Sequence, residues 1–147
     1  MKNFFLIIVF LCNALFTSAQ NAQQRDDRSG DLTVIVNGLK DDQGTVKIGL
    51  FNTAASWNDK EEKYMGAILP IKCRKATWII RNVPYGQYAI KFFHDKNNDD
   101  ELNMNGLGMP VEAYGFYKSG FSKFIPPNYE KAKFLFESPN RLIQIEN

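Results

Sequence analysis

Apolar residues recur at every second position in several short stretches of this chain. Leu32, Val34 and Val36 form one such set, and Val46, Ile48 and Leu50 form another. Side chains two apart lie on one face of a β-strand, so each set predicts a strand with one face in a core. Asp41-Asp42-Gln43-Gly44 lies between them, and period two with a turn-rich spacer predicts an antiparallel hairpin. Strand-like runs follow at Ala67 to Cys73, Ala76 to Asn82, Gly86 to His94, Lys131 to Glu137 and Arg141 to Glu146. Arg74-Lys75, Val83-Pro84-Tyr85-Gly86 and Ser138-Pro139-Asn140 supply reversals between them. One helical segment interrupts the series: Ser56 caps Trp57 to Gly66, with acids early, Gly at the end, and Trp57 and Tyr64 on one face. About seven strands at this spacing, with no stretch suited to a βαβ crossover, predict an all-β fold, an antiparallel β-sandwich with one short helix.

The N-terminus has a different pattern. Lys2 precedes an apolar run from Phe4 to Phe16, and Thr17-Ser18-Ala19 follows it. A basic start, an apolar middle and small residues before the cut are what signal peptidase recognises, so residues 1–19 are expected to be an export signal. Residues 20–30 are polar and form an expected flexible leader, and residues 31–147 form a single domain. No later stretch has the length and hydropathy of a membrane span. The chain has 147 residues and a formal net charge of +2, which loss of Lys2 lowers by one. That balance gives no polybasic surface for nucleic acid. Cys12 lies in the signal, so Cys73 has no disulfide partner in the mature chain. Stability must come from the core, for which 44% hydrophobic and 14% aromatic residues supply the material.

Asn82-Val83-Pro84-Tyr85-Gly86-Gln87-Tyr88 resembles the Pro-x-Gly-x-Tyr corner of transthyretin-like and carboxypeptidase-regulatory β-sandwiches. That resemblance implies an immunoglobulin-like or transthyretin-like sandwich in which the tyrosine anchors the turn into a core strand. It implies nothing about activity.

Between Asp95 and Ala113 the hydrophobic period disappears and oxygen donors take over. Asp95, Asn97, Asp99, Glu101 and Asn103 alternate along this loop, a spacing with which a chain can wrap Ca²⁺ in hard-oxygen ligands. An EF-hand loop needs Gly at its sixth position and Glu at its twelfth, and Asp100 and Gly106 stand there instead. The competing expectation is a solvated turn in which Asp and Asn side chains cap nearby backbone amides. Zinc is disfavoured, because His94 is the only histidine and Cys73 is distant in sequence.

His94 ends a strand and is expected either at the rim of the core or as a general base oriented by Asp95 or Glu112. Ser119 and Ser122 are nearby in sequence, but no nucleophile elbow surrounds them. After the loop come six aromatic residues, Tyr114, Phe116, Tyr117, Phe121, Phe124 and Tyr129, among lysines Lys118, Lys123, Lys131 and Lys133. Exposed, they form a cation-edged stacking platform; buried, they close one mouth of the sandwich, which average aromatic burial favours.

The order Phe93-His94-Asp95, Asn97, Leu102, Asn105, Gly108-Met109-Pro110, Glu112, Tyr114-Gly115-Phe116, Pro126-Pro127, Tyr129, Ala132 and Phe134 resembles an exported bacterial family known as domain of unknown function twenty-one forty-one. Its opening pattern is matched by Val36-Asn37-Gly38-Leu39 and by Val46 to Phe51. Members carry Gly within the acidic loop and Asp after the Leu, where this chain has Asp99-Asp100 and Asn103. The resemblance implies a secreted β-sandwich without a known reaction.

These readings converge on an exported, non-enzymatic binding module, periplasmic or extracellular. Its ligand is a small molecule, a glycan or an envelope protein; His94, Glu112, Tyr114, Phe116 and Tyr117 are its candidate contacts, with calcium as the candidate cofactor. An envelope-glycan hydrolase using loop carboxylates and a structural subunit of the envelope are the alternatives.

Overall fold

The computed structural model describes residues 28–58, 63–118, 120–121 and 126–146. The expected export signal, leader residues 20–27, Ser119, Ser122 and Phe124 lie outside the described residues. In chain order the strands are β1 (Ser29–Val36), β2 (Thr45–Phe51), β3 (Met65–Pro70), β4 (Ala76–Pro84), β5 (Gly86–Asp95), β6 (Tyr114–Phe116), β7 (Gly120–Phe121), β8 (Phe134–Phe136) and β9 (Asn140–Ile145). Two short helices, α1 (Ala54–Asn58) and α2 (Tyr129–Ala132), interrupt them. One sheet has the order β4-β1-β9; the other runs β3-β2-β5-β6-β7, with β8 paired to the first residues of β5. This is the expected all-β sandwich. Among the described residues no helix is long and apolar enough to cross a membrane.

The period-two positions meet between the sheets. Leu32, Val34 and Val36 of β1 pack with Val46, Ile48 and Leu50 of β2, with Tyr88, Ile90 and Phe92 of β5, and with Ile143 and Ile145 of β9 in one buried cluster. The expected hairpin does not form. β1 pairs antiparallel with β4 and parallel with β9, whereas β2 pairs with β3 and β5, so residues 37–44 cross from one sheet to the other. Alternation specifies the face a side chain takes but leaves open which strand receives the hydrogen bonds.

The helix also differs from expectation. Thr53 rather than Ser56 caps it: its hydroxyl oxygen accepts the Ser56 amide at 3.0 Å, while Ser56 itself is buried within α1. Met65 and Gly66, expected in the last helical turn, belong to β3, and Tyr64 stacks beside Tyr88. The run from Lys131 also begins as helix, because Asn128 caps α2 by accepting the Lys131 amide at 3.0 Å.

β5 is covered on both faces. Opposite the main core, Phe51, Trp57, Ala89, Phe116, Tyr129 and Ala132 form a second cluster that seats α1 and α2 on the sheet. Trp57 Nε1 donates to the Pro127 carbonyl at 3.0 Å, and the Tyr129 hydroxyl donates to the Gln87 carbonyl at 3.2 Å. Lys91 donates to the Trp57 carbonyl at 2.9 Å, with its ammonium 4.3 Å from the Phe51 ring centroid.

The corner between the sheets turns on Tyr85 alone. The Tyr88 hydroxyl donates back to the Pro84 carbonyl at 2.9 Å, and Tyr88 is buried against Phe134 and Phe136. The proline-to-tyrosine segment is therefore an anchored corner, as its sequence pattern implied.

Burial, and next the neighbouring Tyr64, pushes the Tyr88 hydroxyl from 10.0 up to about 12. The folded protein keeps a proton that the unfolded chain releases. This contribution to stability is therefore complete below pH 10 and is lost as the pH rises toward 12. Tyr88→Phe is expected to cost about 1 kcal/mol at neutral pH through loss of the corner hydrogen bond. It should also flatten part of the alkaline decline in melting temperature. An alkaline decline identical in the two proteins would exclude Tyr88 as its source.

Candidate functional site

Three connections meet at one end of the sandwich: residues 37–44 leading into β2, residues 71–75 between β3 and β4, and residues 96–113 between β5 and β6. The strand order β3-β2-β5-β6 puts the 71–75 turn on one side, the long acidic loop on the other and residues 37–44 between them. The middle connection is tied to both neighbours. Asp42 accepts the backbone amides of Cys73 at 2.9 Å and Arg74 at 2.6 Å. On the other side Lys96 Nζ meets Asp41 at 2.6 Å, which holds the Asp41 carboxyl below the usual carboxylate range. Gly44 makes the close approach possible: its φ is +71°, and a Cβ there would lie 2.0 Å from the Asp95 carbonyl oxygen.

Asp95 is the root of the acidic loop. It stands opposite Thr45 at the end of β5 and its side chain has no solvent exposure. One carboxylate oxygen accepts the Asp99 amide at 3.2 Å and the other accepts the Asp100 amide at 3.0 Å. Lys47 Nζ lies 3.5 Å from the second oxygen and also donates to Asp100. Asp100 first, and Asp95 after it, raise the Lys47 ammonium above its ordinary lysine value. Removing a carboxylate from water costs several kcal/mol unless charge and hydrogen bonds replace the lost solvation. Two amides and an ammonium do so here.

Of the other donors named from the sequence, Asn97, Asp99 and Asn103 bond to one another within the loop. Asp99 accepts the Glu101 amide at 3.0 Å and the side-chain amides of Asn97 at 2.7 Å and Asn103 at 2.9 Å. These bonds, led by Asn103, lower the Asp99 carboxyl below its ordinary value. Glu112 joins the two ends of the loop by accepting the Lys96 amide at 2.8 Å and the Asn103 amide at 3.0 Å. Asn98 and Asp100 have φ of 56° and 68°, left-handed conformations that Asn and Asp adopt more readily than other L-residues. Asp95, Asp99 and Glu112 thus act as caps for the loop's own backbone. At Asp95 and Asp99 a Ca²⁺ ion would share carboxylate oxygens with these bonds, whereas Asn97 and Asn103 are engaged through their side-chain N–H groups. No group of three or more His, Cys, Asp or Glu side chains is arranged for a metal ion among the described residues.

The candidate contact residues are placed as follows. His94 is buried on the core side of β5, opposite Val46, and its Nε2 lies 2.6 Å from the Gln43 carbonyl. A carbonyl only accepts, so Nε2 carries the proton and the ring is fastened to the middle connection. Phe116 is buried against Trp57, Tyr114 packs edge-on to Phe116, and Tyr117 packs edge-on to Phe134. Of the aromatic series, Tyr129 is also buried. Tyr114, Phe116 and Tyr129 thus pack on the outer face of β5, and Tyr117 packs against the main core.

Sequence reasoning missed Lys47, Asp41 and Gln43 as members of this end. Asn105 accepts the amides of Leu107 at 2.9 Å and Met109 at 3.0 Å and so shapes the tip of the loop. It also missed what the tip presents. Met104, Leu107, Met109 and Val111 are all exposed, Leu107 at 84%. Large apolar side chains inside a hydrophilic loop were the available signal.

A family model described as an uncharacterized protein conserved in bacteria, DUF2141, matches residues 34–144. No curated protein and no solved structure matches the chain.

Asp95→Asn replaces an acceptor oxygen with a donor facing a buried amide. It is expected to destabilise the fold by about 1–3 kcal/mol in denaturant titrations, while Glu101→Gln on an exposed side chain changes little. Asp99 adds a pH dependence. Its carboxyl is lowered in the folded state, so its support is present above pH 3.8 and is lost as the pH falls below that value. Amide exchange at Glu101, whose backbone N–H Asp99 accepts, is expected to accelerate in that acid range ahead of the core strands; simultaneous loss of protection would contradict this.

Proposed function

The chain belongs to the bacterial family DUF2141, and on that footing we propose that it is an exported, non-catalytic recognition module that binds its partner with the braced end of the sandwich. The observation that carries this reading is the use to which the carboxylates are put. Asp95, Asp99 and Glu112 are spent on backbone amides of residues 96–103, which gives an irregular loop a defined shape. A preformed loop loses less conformational entropy on binding than one that must order first. Loops gathered at one end of a sandwich are the usual place for recognition. His94 and Glu112 then brace this end, while Tyr114, Phe116 and Tyr117 pack into the body of the sandwich. Export follows from the signal-like pattern of residues 1–19.

The glycan-hydrolase alternative needs one carboxyl group free to give a proton and a second free to attack or activate water. The best-held carboxylates of this end are engaged as acceptors, which weighs against it. Calcium held by the acidic loop competes with a self-braced loop, and thermal unfolding separates the two. Millimolar Ca²⁺ is expected to leave the melting temperature unchanged. A rise of several degrees that disappears in Asp99→Asn would replace this reading with a cation-dependent one, because a ligand held only by the folded state must stabilise it.

A further inference from the structure

The loop that the acids brace ends in an apolar tip. Met104, Leu107, Met109 and Val111 are exposed at 53%, 84%, 40% and 64%, all within a few residues of one another. Their positions are set by the same lattice. Met104 bridges to Pro110, the Val111 amide donates to the Asn103 carbonyl at 2.9 Å, and the Asn105 amide donates to the Met109 carbonyl at 2.8 Å. Four large apolar side chains held toward water by a hydrogen-bonded frame are unfavourable for an isolated protein, and exposed apolar side chains gathered on one short loop point to an interaction surface. Nothing in the core requires them, since the two buried clusters are complete without them.

The charges around the tip select among partners. From Asn97 to Tyr117 the chain carries Asp99, Asp100, Glu101 and Glu112 and no lysine or arginine. The acids adjoin the tip directly, because Asn103 donates through its side chain to Asp99 and accepts through its backbone from Val111. Of the nearby cations, Lys47 faces Asp95 and Asp100, and Lys96 faces Asp41. An apolar tip with an acidic border is repelled by anionic lipid and complements a surface that is apolar with a cationic border. Two of its four apolar side chains are methionines, whose flexible thioethers adapt to varied apolar partners.

Resting on the recognition reading above, we infer that residues 104–111 dock a cationic amphipathic polypeptide segment, its apolar face on Met104, Leu107, Met109 and Val111 and its lysines or arginines against Asp99 and Glu101. The apolar contact holds the segment and the acids set its polarity.

The test uses a fluorophore-labelled synthetic helix of about five turns, with leucines on one face and lysines on the other, titrated with the folded protein at low ionic strength and followed by anisotropy. Saturable binding in the range of about 10–100 μM is expected, weakening at least tenfold in Leu107→Ser with Val111→Ser. Both side chains are exposed, so the fold survives their replacement. Asp99→Asn with Glu101→Gln should weaken it several-fold and reduce its salt dependence. The same helix with glutamates for lysines should not bind. Absence of saturation, or binding indifferent to the Leu107 and Val111 changes, overturns the inference. So does Leu107-dependent binding to vesicles of phosphatidylcholine with phosphatidylglycerol, which would assign the tip to a membrane. Hydrogen exchange over residues 97–111 of the free protein separates this from the parent reading: a protected loop that binds no helix removes the docking inference alone, whereas an unprotected loop removes the reading beneath it.

Discussion

A carboxylate without any exposed surface, that of Asp95, is the constraint around which this end of the sandwich is organised. At the end of β5 it leaves the sheet on the face away from the core, where water would ordinarily solvate it. The loop that follows covers it, and burial of an uncompensated charge is among the most costly events in folding. The loop can close only in a path that brings the Asp99 and Asp100 amides to its two oxygens and leaves Lys47 beside them. Left-handed backbone at Asn98 and Asp100 produces that path. The burial cost of one side chain thereby restricts a whole loop to one shape.

From Asp95 the restriction spreads outward through short polar links. Glu112 fastens the far end of the loop to its near end, so the span between them cannot open without exposing two unpaired amides. His94 and Lys96 tie β5 and the loop to the middle connection, and Asp42 ties that connection to the 71–75 turn. Three segments distant in sequence are thereby fastened to one another. The apolar tip is carried on this hydrogen-bonded frame, and under the proposed recognition role a preformed loop would leave little ordering to be done on binding.

The oxygen-rich composition of residues 95–105 was legible in the sequence, and so were two opposed uses for it. Asp and Asn oxygens at alternate positions suit a hard cation and suit backbone amides equally well, because both interactions are electrostatic contacts to the same lone pairs. Deciding between them requires the direction in which each side chain turns, which depends on dihedral angles several residues away. The aromatic series posed the same problem. Phe116 and Tyr129 are placed by α1 and α2 stacking on the second face of β5, and no local pattern around Tyr114 reveals that a helix from residues 54–58 lies opposite. Lys47 appears in its own segment only as the polar member of an alternating strand; its role arises because β2 and β5 are neighbours.

The sequence by itself determined the elements whose cause is local. Period-two burial in β1, β2 and β5, the anchored corner from Pro84 to Tyr88 and the acid-rich nature of the loop all follow from residues within a few positions of one another. Family membership follows from the order of such features along the chain. Only the tertiary structure decided that β1 and β2 belong to different sheets, that Gly44 lies against Asp95, and that the acids serve the loop while Met104, Leu107, Met109 and Val111 face water. The physical reason is that side-chain alternation and turn chemistry are short-range preferences of the backbone. Pairing and charge compensation are choices among distant partners, made when the whole chain minimises its buried and unpaired polar groups.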